Sequence, residues 1–249
     1  YAMAAPLMTG QENPGDCSTL ILGMGTGTYA NQCRRYYGDM AVEGVEIDEK
    51  ITDLAREYFE LPADVKVTTY DGRAYLNAIE DKYDVIMVDA YQDITIPFQM
   101  SSAEFFTLVK EHLTEDGVMV VNMNMRGSGE DSINAYLADT ISSVFGEVYT
   151  VDVKGSTNRE LFASNNPRML ENLRAHREKI TDEGLYAMMG NVADRLVVYE
   201  AGTRIMTDDQ APVELLGMQV IDELIQGEVA VYKELYEKRG IRGVLDSLL

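Results

Sequence analysis

The sequence predicts an α/β fold in which helices cover both faces of a mostly parallel sheet. Short apolar runs of strand length alternate with segments of helix length as far as residue 145. The first run, at residues 19–22, passes directly into glycines at positions 23, 25 and 27. Single carboxylates then follow the next three runs, at Glu46, Asp71 and Asp89. Buried parallel strands read as short apolar runs, and their alternation with helices is typical of sheets covered on both faces.

The first strand and its glycine turn form the most informative unit of the chain. Glycines allow the bare backbone of a turn to approach a ligand closely. The following segment, residues 28–37, is predicted as a helix whose first N–H groups point into that turn. The combination is typical of sites for nucleotide-like ligands, although a tight connection between a strand and a helix can also lack a ligand.

The next elements follow from caps and apolar runs. Asp48 is a favoured N-cap, so a helix is predicted over residues 49–59. Ser102 begins a predicted helix over residues 102–113, and the Asp116-Gly117 turn leads into the fifth strand. The other predicted helices cover residues 73–79 and 133–145. The predicted strands after the first cover residues 40–45, 65–69, 85–88 and 118–122.

Two strand-like segments close the predicted sheet. Residues 148–153 and 161–164 flank the turn Gly155-Ser156-Thr157-Asn158, which predicts an antiparallel hairpin. Five parallel strands followed by a hairpin form the Rossmann-like fold of S-adenosylmethionine-dependent methyltransferases, with a mostly parallel seven-stranded sheet. We therefore expect a Rossmann-like domain that binds an adenosyl ligand over residues 1–165.

Beyond that domain the pattern changes to helices alone. Candidate helices cover residues 167–180 and a segment from Pro212 towards Tyr236, with a break near Gly227. We expect residues 166–249 to form a helical extension that packs on the first domain.

Composition and charge exclude several classes of protein. The 249 residues include 42 acidic and 21 basic side chains, a net charge of −21, which argues against a nucleic-acid partner. Cys17 and Cys33 lack zinc-type spacing, and His112 and His176 stand apart, so we expect no metal site. No apolar run approaches the ~18 residues of a membrane span, and no signal peptide is visible, so a cytoplasmic location is predicted.

The ends of the strands supply the candidate binding groups. Open parallel sheets bind ligands beyond the carboxyl ends of their strands. There Glu46 would accept the ribose hydroxyls, Asp71 an adenine amine, and Asp89 would face the reacting end of the ligand. Any one of these carboxylates could instead cap a helix or turn. An NAD site is less consistent, because Thr28 stands where the dinucleotide fingerprint has its last glycine.

Four stretches together resemble the spermidine synthase (aminopropyltransferase) family. They read L-I-L-G-M-G-T-G, V-E-G-V-E-I-D-E-K-I, Y-D-G-R-A-Y-L and Y-D-V-I-M-V-D-A-Y. Two more, D-A-Y-Q-D-I-T-I-P-F-Q-M and I-M-T-D-D-Q-A-P-V-E, resemble a bacterial branch whose synthase-like domain is fused to a membrane domain. The resemblance covers residues 1–165 and continues to about Leu216. It implies the cytosolic part of a longer membrane protein and, by analogy, a homodimer.

The resemblance also implies ligands and roles. The co-substrate would be decarboxylated S-adenosylmethionine, and the acceptor a small amine or polyamine. Asp89 matches the catalytic aspartate that accepts a proton from the attacking amine, with Tyr91 and Asp93 as candidates to assist it. The implied residues of the co-substrate site are Gly23, Gly25, Thr26, Gly27, Glu46, Ile47, Asp71, Gly72 and Asp89.

Three departures from the family pattern keep alternatives open. Thr26 replaces the aspartate that holds the donor's free amine, which favours a methyltransferase that uses S-adenosylmethionine itself. Asp89-Ala90-Tyr91-Gln92-Asp93 replaces the usual Asp-Ser-Ser-Asp-Pro loop, and the late tyrosine of the acceptor site is not evident at residues 155–158. These two departures favour a non-catalytic domain of a membrane protein that senses an adenosyl ligand or a polyamine.

Overall fold

The computed structural model describes residues 1–90, 96–123 and 132–247. Within these ranges the chain forms an eight-stranded sheet with helices on both faces. The strands are β1 (Ser18–Leu22), β2 (Ala41–Glu46), β3 (Lys66–Thr69), β4 (Tyr83–Val88), β5 (Leu113–Met123), β6 (Glu147–Asp152), β7 (Arg159–Ser164) and β8 (Val197–Val198). The helices are α1 (Ala5–Met8), α2 (Thr28–Tyr37), α3 (Glu49–Tyr58), α4 (Gly72–Ala78), α5 (Ala103–Glu111), α6 (Ile133–Ser142), α7 (Met169–Arg177), α8 (Glu183–Arg195) and α9 (Val213–Ser247).

The order of the strands confirms the predicted fold class. The sheet runs β3-β2-β1-β4-β5-β7-β6-β8. Strands β1 to β5 pair in parallel, whereas β7 is antiparallel to both β5 and β6. The predicted number of seven strands was wrong by one, because the two-residue β8 adds antiparallel to β6. A strand of two residues is too short to show the alternating pattern by which strands are recognised.

Pairing of β1 with both of its neighbours brings the strand ends to one level. Leu22 pairs with Val45 of β2 and Val88 of β4, and Val88 pairs with Val121 of β5. This row of four apolar residues is buried in the core. The residues that follow the row directly are Gly23, Glu46, Asp89 and Asn122.

Each face of the sheet buries its own apolar cluster. One cluster includes Phe105 and Phe106 of α5, whose rings meet edge to face with centroids 5.3 Å apart. The other cluster includes Leu7 of α1 and Cys33 of α2, so Cys33 is a packing residue, as predicted. Because helices cover both faces, the ends of the strands are where a ligand can approach the described part of the sheet.

Two predicted boundaries were wrong at the junction of α5 and β5. The helix predicted to reach residue 113 ends at Glu111, and β5 begins at Leu113, five residues before its predicted start. Tyr83 explains the difference, because its N–H donates to the His112 carbonyl at 2.8 Å and the residue pairs with Leu113. Pairing with β4 therefore makes residue 113 the start of a strand, although the local sequence favours a longer helix.

The C-terminal region also departs from the prediction. The helix predicted over residues 167–180 is the shorter α7, while α8 and β8 lay within a segment that the sequence left unassigned. Helix α9 continues through Gly227, and the non-helical residue is Gly240, with φ +63°. A glycine within a helix costs only about 1 kcal/mol relative to alanine, which a long helix tolerates.

Residues after 165 pack on both faces of the sheet. Leu173 of α7 and Leu185 of α8 join one apolar cluster, and Leu216 of α9 joins the other. The division into a domain over residues 1–165 and an extension over 166–249 stays a proposal. In the described ranges, none of the helices combines the length and apolar character needed to cross a bilayer.

Asp84 ties three strands together at the amino end of the sheet. Its carboxylate is 6% exposed. It accepts hydrogen bonds from the Ser18 N–H at 2.9 Å and hydroxyl at 3.0 Å, from Gln11 at 2.9 Å and from Thr114 at 3.0 Å. A buried carboxylate is stable only when such donors replace its hydration.

We expect Asp84→Ala to destabilise the fold by about 3 kcal/mol, because it leaves several donors without an acceptor. Urea unfolding followed by circular dichroism would measure the loss. Asp81→Ala removes an exposed carboxylate three residues away and is the matched control. Equal stability of the two variants would contradict the role assigned to Asp84.

Candidate active site

The glycine turn lies tightly between the ends of β2 and β4. Gly23 has φ +87°, and a Cβ atom placed there would lie 2.5 Å from the carbonyl oxygen of Asp89. The N–H groups of Gly23 and Met24 both donate to the Val45 carbonyl, at 2.9 and 3.0 Å. Close approach of three backbone segments therefore requires glycine at position 23.

Glu46 holds the glycine turn in place from the end of β2. Its side chain is 6% exposed, and Oε2 accepts a hydrogen bond from the Gly25 N–H at 2.8 Å. Oε1 accepts from the Asp48 N–H at 3.2 Å. Each carboxylate oxygen has two lone pairs, so both can also accept a hydroxyl hydrogen from a ligand.

A cavity of about 320 Å³ opens at the carboxyl ends of the strands. Most of the residues that the sequence predicted for the co-substrate lie in its wall, namely Gly23, Gly25, Glu46, Ile47, Asp71, Gly72 and Asp89. Thr26 and Gly27 are placed beside this wall. The Thr26 hydroxyl shares a 3.0 Å hydrogen bond with the Thr28 hydroxyl, and Gly27 precedes α2 with φ +77°.

Two exposed apolar side chains form part of the cavity rim beside Asp71. Ile47 is 71% exposed and Tyr70 is 52% exposed. Asp71 caps α4, because its Oδ1 accepts from the Ala74 N–H at 2.8 Å. Apolar and aromatic surfaces with a few polar groups are typical of ligand sites, and these suit the faces of a flat base. Sequence reasoning missed Tyr70, although its position directly after β3 was a usable signal.

Asp89 is a partly buried carboxylate directly after β4. Its Oδ1 accepts a hydrogen bond from the Asn122 amide at 3.0 Å, and Asn122 in turn accepts from the Asn158 amide at 3.1 Å. Burial raises the pKa of Asp89 above its ordinary value, while the hydrogen bond from Asn122 lowers it. A carboxylate with a raised pKa is a stronger base, which suits proton transfer.

Asn122 and Asn158 support Asp89 through hydrogen bonds, and sequence reasoning identified neither. Asn122 ends the apolar run of β5, and a polar residue at the carboxyl end of a buried parallel strand is a signal for a site. Asn158 belongs to the predicted hairpin turn and gave no comparable signal. Tyr91 and Asp93, predicted to assist Asp89, lie outside the described residues.

Residues 207–210 (T-D-D-Q), which are distant in sequence, hold one side wall of the cavity through Asp208. Pro97, Gln99 and Met100 line this wall. Arg73 donates to the Gln99 carbonyl at 3.0 Å and makes two hydrogen bonds of 2.7 Å with Asp208. This ion pair lowers the pKa of Asp208 to about 2. A bidentate arginine–carboxylate pair of this kind fixes the orientation of the guanidinium as well as its position.

Comparison with known proteins identifies the family. The sequence profile described as Spermine/spermidine synthase domain matches residues 5–153. A probable polyamine aminopropyl transferase of Bifidobacterium longum (strain NCC 2705) is 54% identical over 264 aligned residues. The alignment covers 99% of this chain and 58% of that relative, so the chain spans under two thirds of its length. The chain belongs to the spermine/spermidine synthase family, as the sequence motifs predicted.

Solved structures show the same fold at lower sequence identity. A spermidine synthase in complex with the transition state analogue AdoDATO has a TM-score of 0.60 and 18% identity, over 72% of this chain and 64% of that one. Human methyltransferase-like protein 13 in complex with SAH has a TM-score of 0.61 and 21% identity, over 78% and 88% of the two chains. At these identities the likeness concerns the fold alone.

We expect Asp208→Ala to weaken binding of an adenosyl ligand about threefold to tenfold, or ~0.7–1.4 kcal/mol. The substitution frees Arg73 and so loosens the wall that contains Gln99. Calorimetric titration with 5′-methylthioadenosine would measure the change. Asp209→Ala, an exposed neighbour, is the matched control. If both variants bind as the unmodified chain does, the ion pair has no part in the site.

Proposed function

We propose that this chain transfers an aminopropyl group from decarboxylated S-adenosylmethionine to a small amine or polyamine. The observation that carries the proposal is Asp89, a carboxylate of raised pKa in the wall of a cavity whose other walls contain Glu46 and Asp71. These acids follow separate strands of the sheet in the order that the family resemblance implies. The family membership of the chain supports the same reaction.

The proposed roles in binding follow from the free acceptor capacity of each side chain. Glu46 accepts the ribose hydroxyls while it holds the glycine turn. Asp71 accepts from the adenine amine, and Ile47 and Tyr70 cover the base. Charge also favours a cationic donor and acceptor, because the chain has a net charge of −21.

The proposed reaction is a displacement at carbon. The amine nitrogen attacks the methylene carbon next to the positively charged sulfur, forming a C–N bond as the C–S bond breaks. The sulfur keeps the electron pair of the broken bond, and 5′-methylthioadenosine leaves. An amine with a pKa near ~10 is protonated at neutral pH, so the nitrogen must first lose a proton. Asp89 accepts that proton.

A methyltransferase is the second candidate, favoured by Thr26. A threonine at this position supplies no negative charge for the donor's free ammonium. A methyltransferase would bind S-adenosylmethionine at least as tightly as the decarboxylated form. Tenfold tighter binding of the decarboxylated form, ~1.4 kcal/mol, would exclude this alternative.

Release of 5′-methylthioadenosine tests the proposed activity directly. The chain is incubated with decarboxylated S-adenosylmethionine and each member of a panel of diamines and polyamines. We expect release that depends on one or more of the amines. A folded sample that binds the donor but reacts with none of them would contradict the proposal and favour the sensing domain.

Asp89→Asn and Glu46→Gln are expected to separate chemistry from binding. Glu46 binds the ribose in ground state and transition state alike, so Glu46→Gln should mainly raise the donor KM. Asp89 acts as the proton moves, so Asp89→Asn should lower kcat by about 10²–10⁴ with little change in donor binding. Steady-state kinetics measures both effects. Near-normal kcat in Asp89→Asn would show that another group is the base, with Asp93 the first candidate.

Asn122→Leu is expected to shift the dependence of kcat on pH. Asp89 must be ionised to accept a proton, so kcat falls as the pH drops through the pKa of Asp89. Removal of the Asn122 donor raises that pKa, because the hydrogen bond favours the ionised carboxylate. The acidic limb of the profile should therefore move to higher pH. Asn158→Leu removes only the next bond in the chain and should move it less; equal shifts would contradict direct control by Asn122.

Assembly and location are further proposals. Helix α9 exposes Leu215, Met218, Ile221 and Ile225 at helical spacing, which supports a contact with another surface. A homodimer would bury this stripe, and light scattering after size exclusion would measure the mass. A cytoplasmic location and fusion to a membrane domain rest on the sequence resemblance.

A further inference from the structure

Most of helix α9 extends away from the rest of the chain. Its first turn packs on the globular part, where Val213 and Leu216 join an apolar cluster. No side chain described between Met218 and Arg239 is buried, although this part of the helix is about 30 Å long. Packing of an apolar face supplies most of the stability of a helix in a protein, so a partner is expected for this length of helix.

One side of this exposed stretch is apolar along its whole length. We call this side the α9 seam, and its residues are Met218, Ile221, Ile225, Val229, Tyr232 and Tyr236. They are spaced three, four and four residues apart, and the pattern returns after eleven residues. Such a repeat stays on one side of a nearly straight helix, because eleven residues are close to three full turns. Tyr232 is half-buried, and the other five are 38–61% exposed.

Charge is divided unevenly along α9. Residues 213–230 include four acidic side chains and no basic one, whereas all four basic residues of the helix fall within residues 231–247. A parallel pair of these helices would bring two acidic halves together. An antiparallel pair puts each acidic half beside the basic residues of the other helix. Complementary charge therefore favours the antiparallel arrangement.

Four exposed charged residues flank the α9 seam at matching positions. At about 3.6 residues per turn, Asp222 and Lys233 lie on one side of the seam. Glu214 and Arg239 lie on the other side. In an antiparallel pair centred level with Gly227, Asp222 of each copy meets Lys233 of the other. In the same register Glu214 meets Arg239.

The same register also joins the apolar residues of the α9 seam. Met218 of one copy faces Tyr236 of the other. Ile225 of one copy likewise faces Val229 of the other. The break at Gly240, with φ +63° and ψ −167°, falls level with the first turn of α9 in the other copy. A straight continuation would meet the globular part of that copy there, and the break lets the chain turn away.

A lipid surface is a poorer occupant for the α9 seam. Helices that lie on membranes combine an apolar side with a polar side rich in lysine and arginine. Helix α9 has seven acidic and four basic side chains, so an anionic lipid surface would repel it.

We propose that two copies of this chain associate through an antiparallel pair of α9 helices, with the α9 seam buried between them. Residues 214–239 form the contact, which is about 38 Å long. A two-fold axis level with Gly227 makes each contact occur twice. The inference rests on the homodimer proposed above, gives it a surface and an orientation, and does not depend on the proposed reaction.

Cross-linking of introduced cysteines tests the direction of the pair. Met218→Cys and Tyr236→Cys are prepared separately in the full chain, mixed and oxidised, while Cys17 and Cys33 are buried and free. We expect a cross-linked dimer from the mixture and from neither variant alone, because the two copies of residue 218 lie about 27 Å apart along the helix axis. Cross-linking of Met218→Cys alone would show a parallel pair and overturn the inference, as would a mixture that yields no cross-link.

Charge reversal tests the register. Asp222→Lys and Lys233→Asp each place like charges opposite one another, so each should raise the dimer dissociation constant about tenfold. An equal mixture of the two variants should dimerise as the unmodified chain does, since every contact again joins opposite charges. Sedimentation equilibrium measures the dissociation constants, and circular dichroism checks that the helix content is kept. Glu234→Lys, on the side opposite the seam, is the matched control and should leave the dissociation constant unchanged.

The remaining outcomes separate this inference from its competitors. A dimer whose dissociation constant ignores both charge reversals would overturn it, as would a monomer at every concentration. A monomer that binds vesicles of phosphatidylcholine and phosphatidylserine would assign the α9 seam to lipid. A dimer with the expected cross-link, in a chain that transfers no aminopropyl group to any amine, would support this inference and contradict the proposed function.

Discussion

The parallel pairing of β1 with β2 on one side and β4 on the other is the constraint on which the site depends. Leu22 pairs with Val45 and with Val88, so the three strands end at one level. A residue of the proposed site stands directly after Leu22, Val45 and Val88 in each strand. A one-residue shift of either pair would move Glu46 or Asp89 to the opposite face of the sheet, because side chains alternate along a strand.

Close approach of backbones makes this arrangement rigid. Gly23 lies against the Asp89 carbonyl, and the Gly25 N–H is held by Glu46. The same carboxylate that is proposed to bind the ribose therefore shapes the turn beside it before any ligand arrives. Preorganised groups of this kind lower the cost of ordering a site on binding. At the amino end of the sheet Asp84 has the corresponding structural role, and its four hydrogen bonds hold β1, β4 and β5 together.

Acidic groups at the ligand end of the sheet have unequal surroundings, which gives them different tasks. Both oxygens of Glu46 accept backbone N–H bonds. Asp89 has one amide donor and a raised pKa, and Glu160 has an oxygen without a described donor. Glu46 thus orders the chain, whereas Asp89 is the proposed base. One type of side chain can thus serve different purposes because burial and donors differ.

The sequence by itself determined the α/β class, the parallel strands and the strand-end residues Gly23, Glu46, Asp71 and Asp89. These follow from local signals: apolar runs, glycines and caps within a few residues of one another. The family also followed from motifs of this local kind, and the comparisons confirm it.

Tertiary structure alone decided the contacts between segments that are far apart in sequence. The start of β5 depends on pairing with Tyr83, the cavity wall on Arg73 and Asp208, and the environment of Asp89 on Asn122 and Asn158. The burial of Glu160 is likewise a property of its neighbours, because a glutamate in an alternating strand reads as solvent-exposed. Local patterns encode which elements form, whereas burial and partners depend on which elements meet.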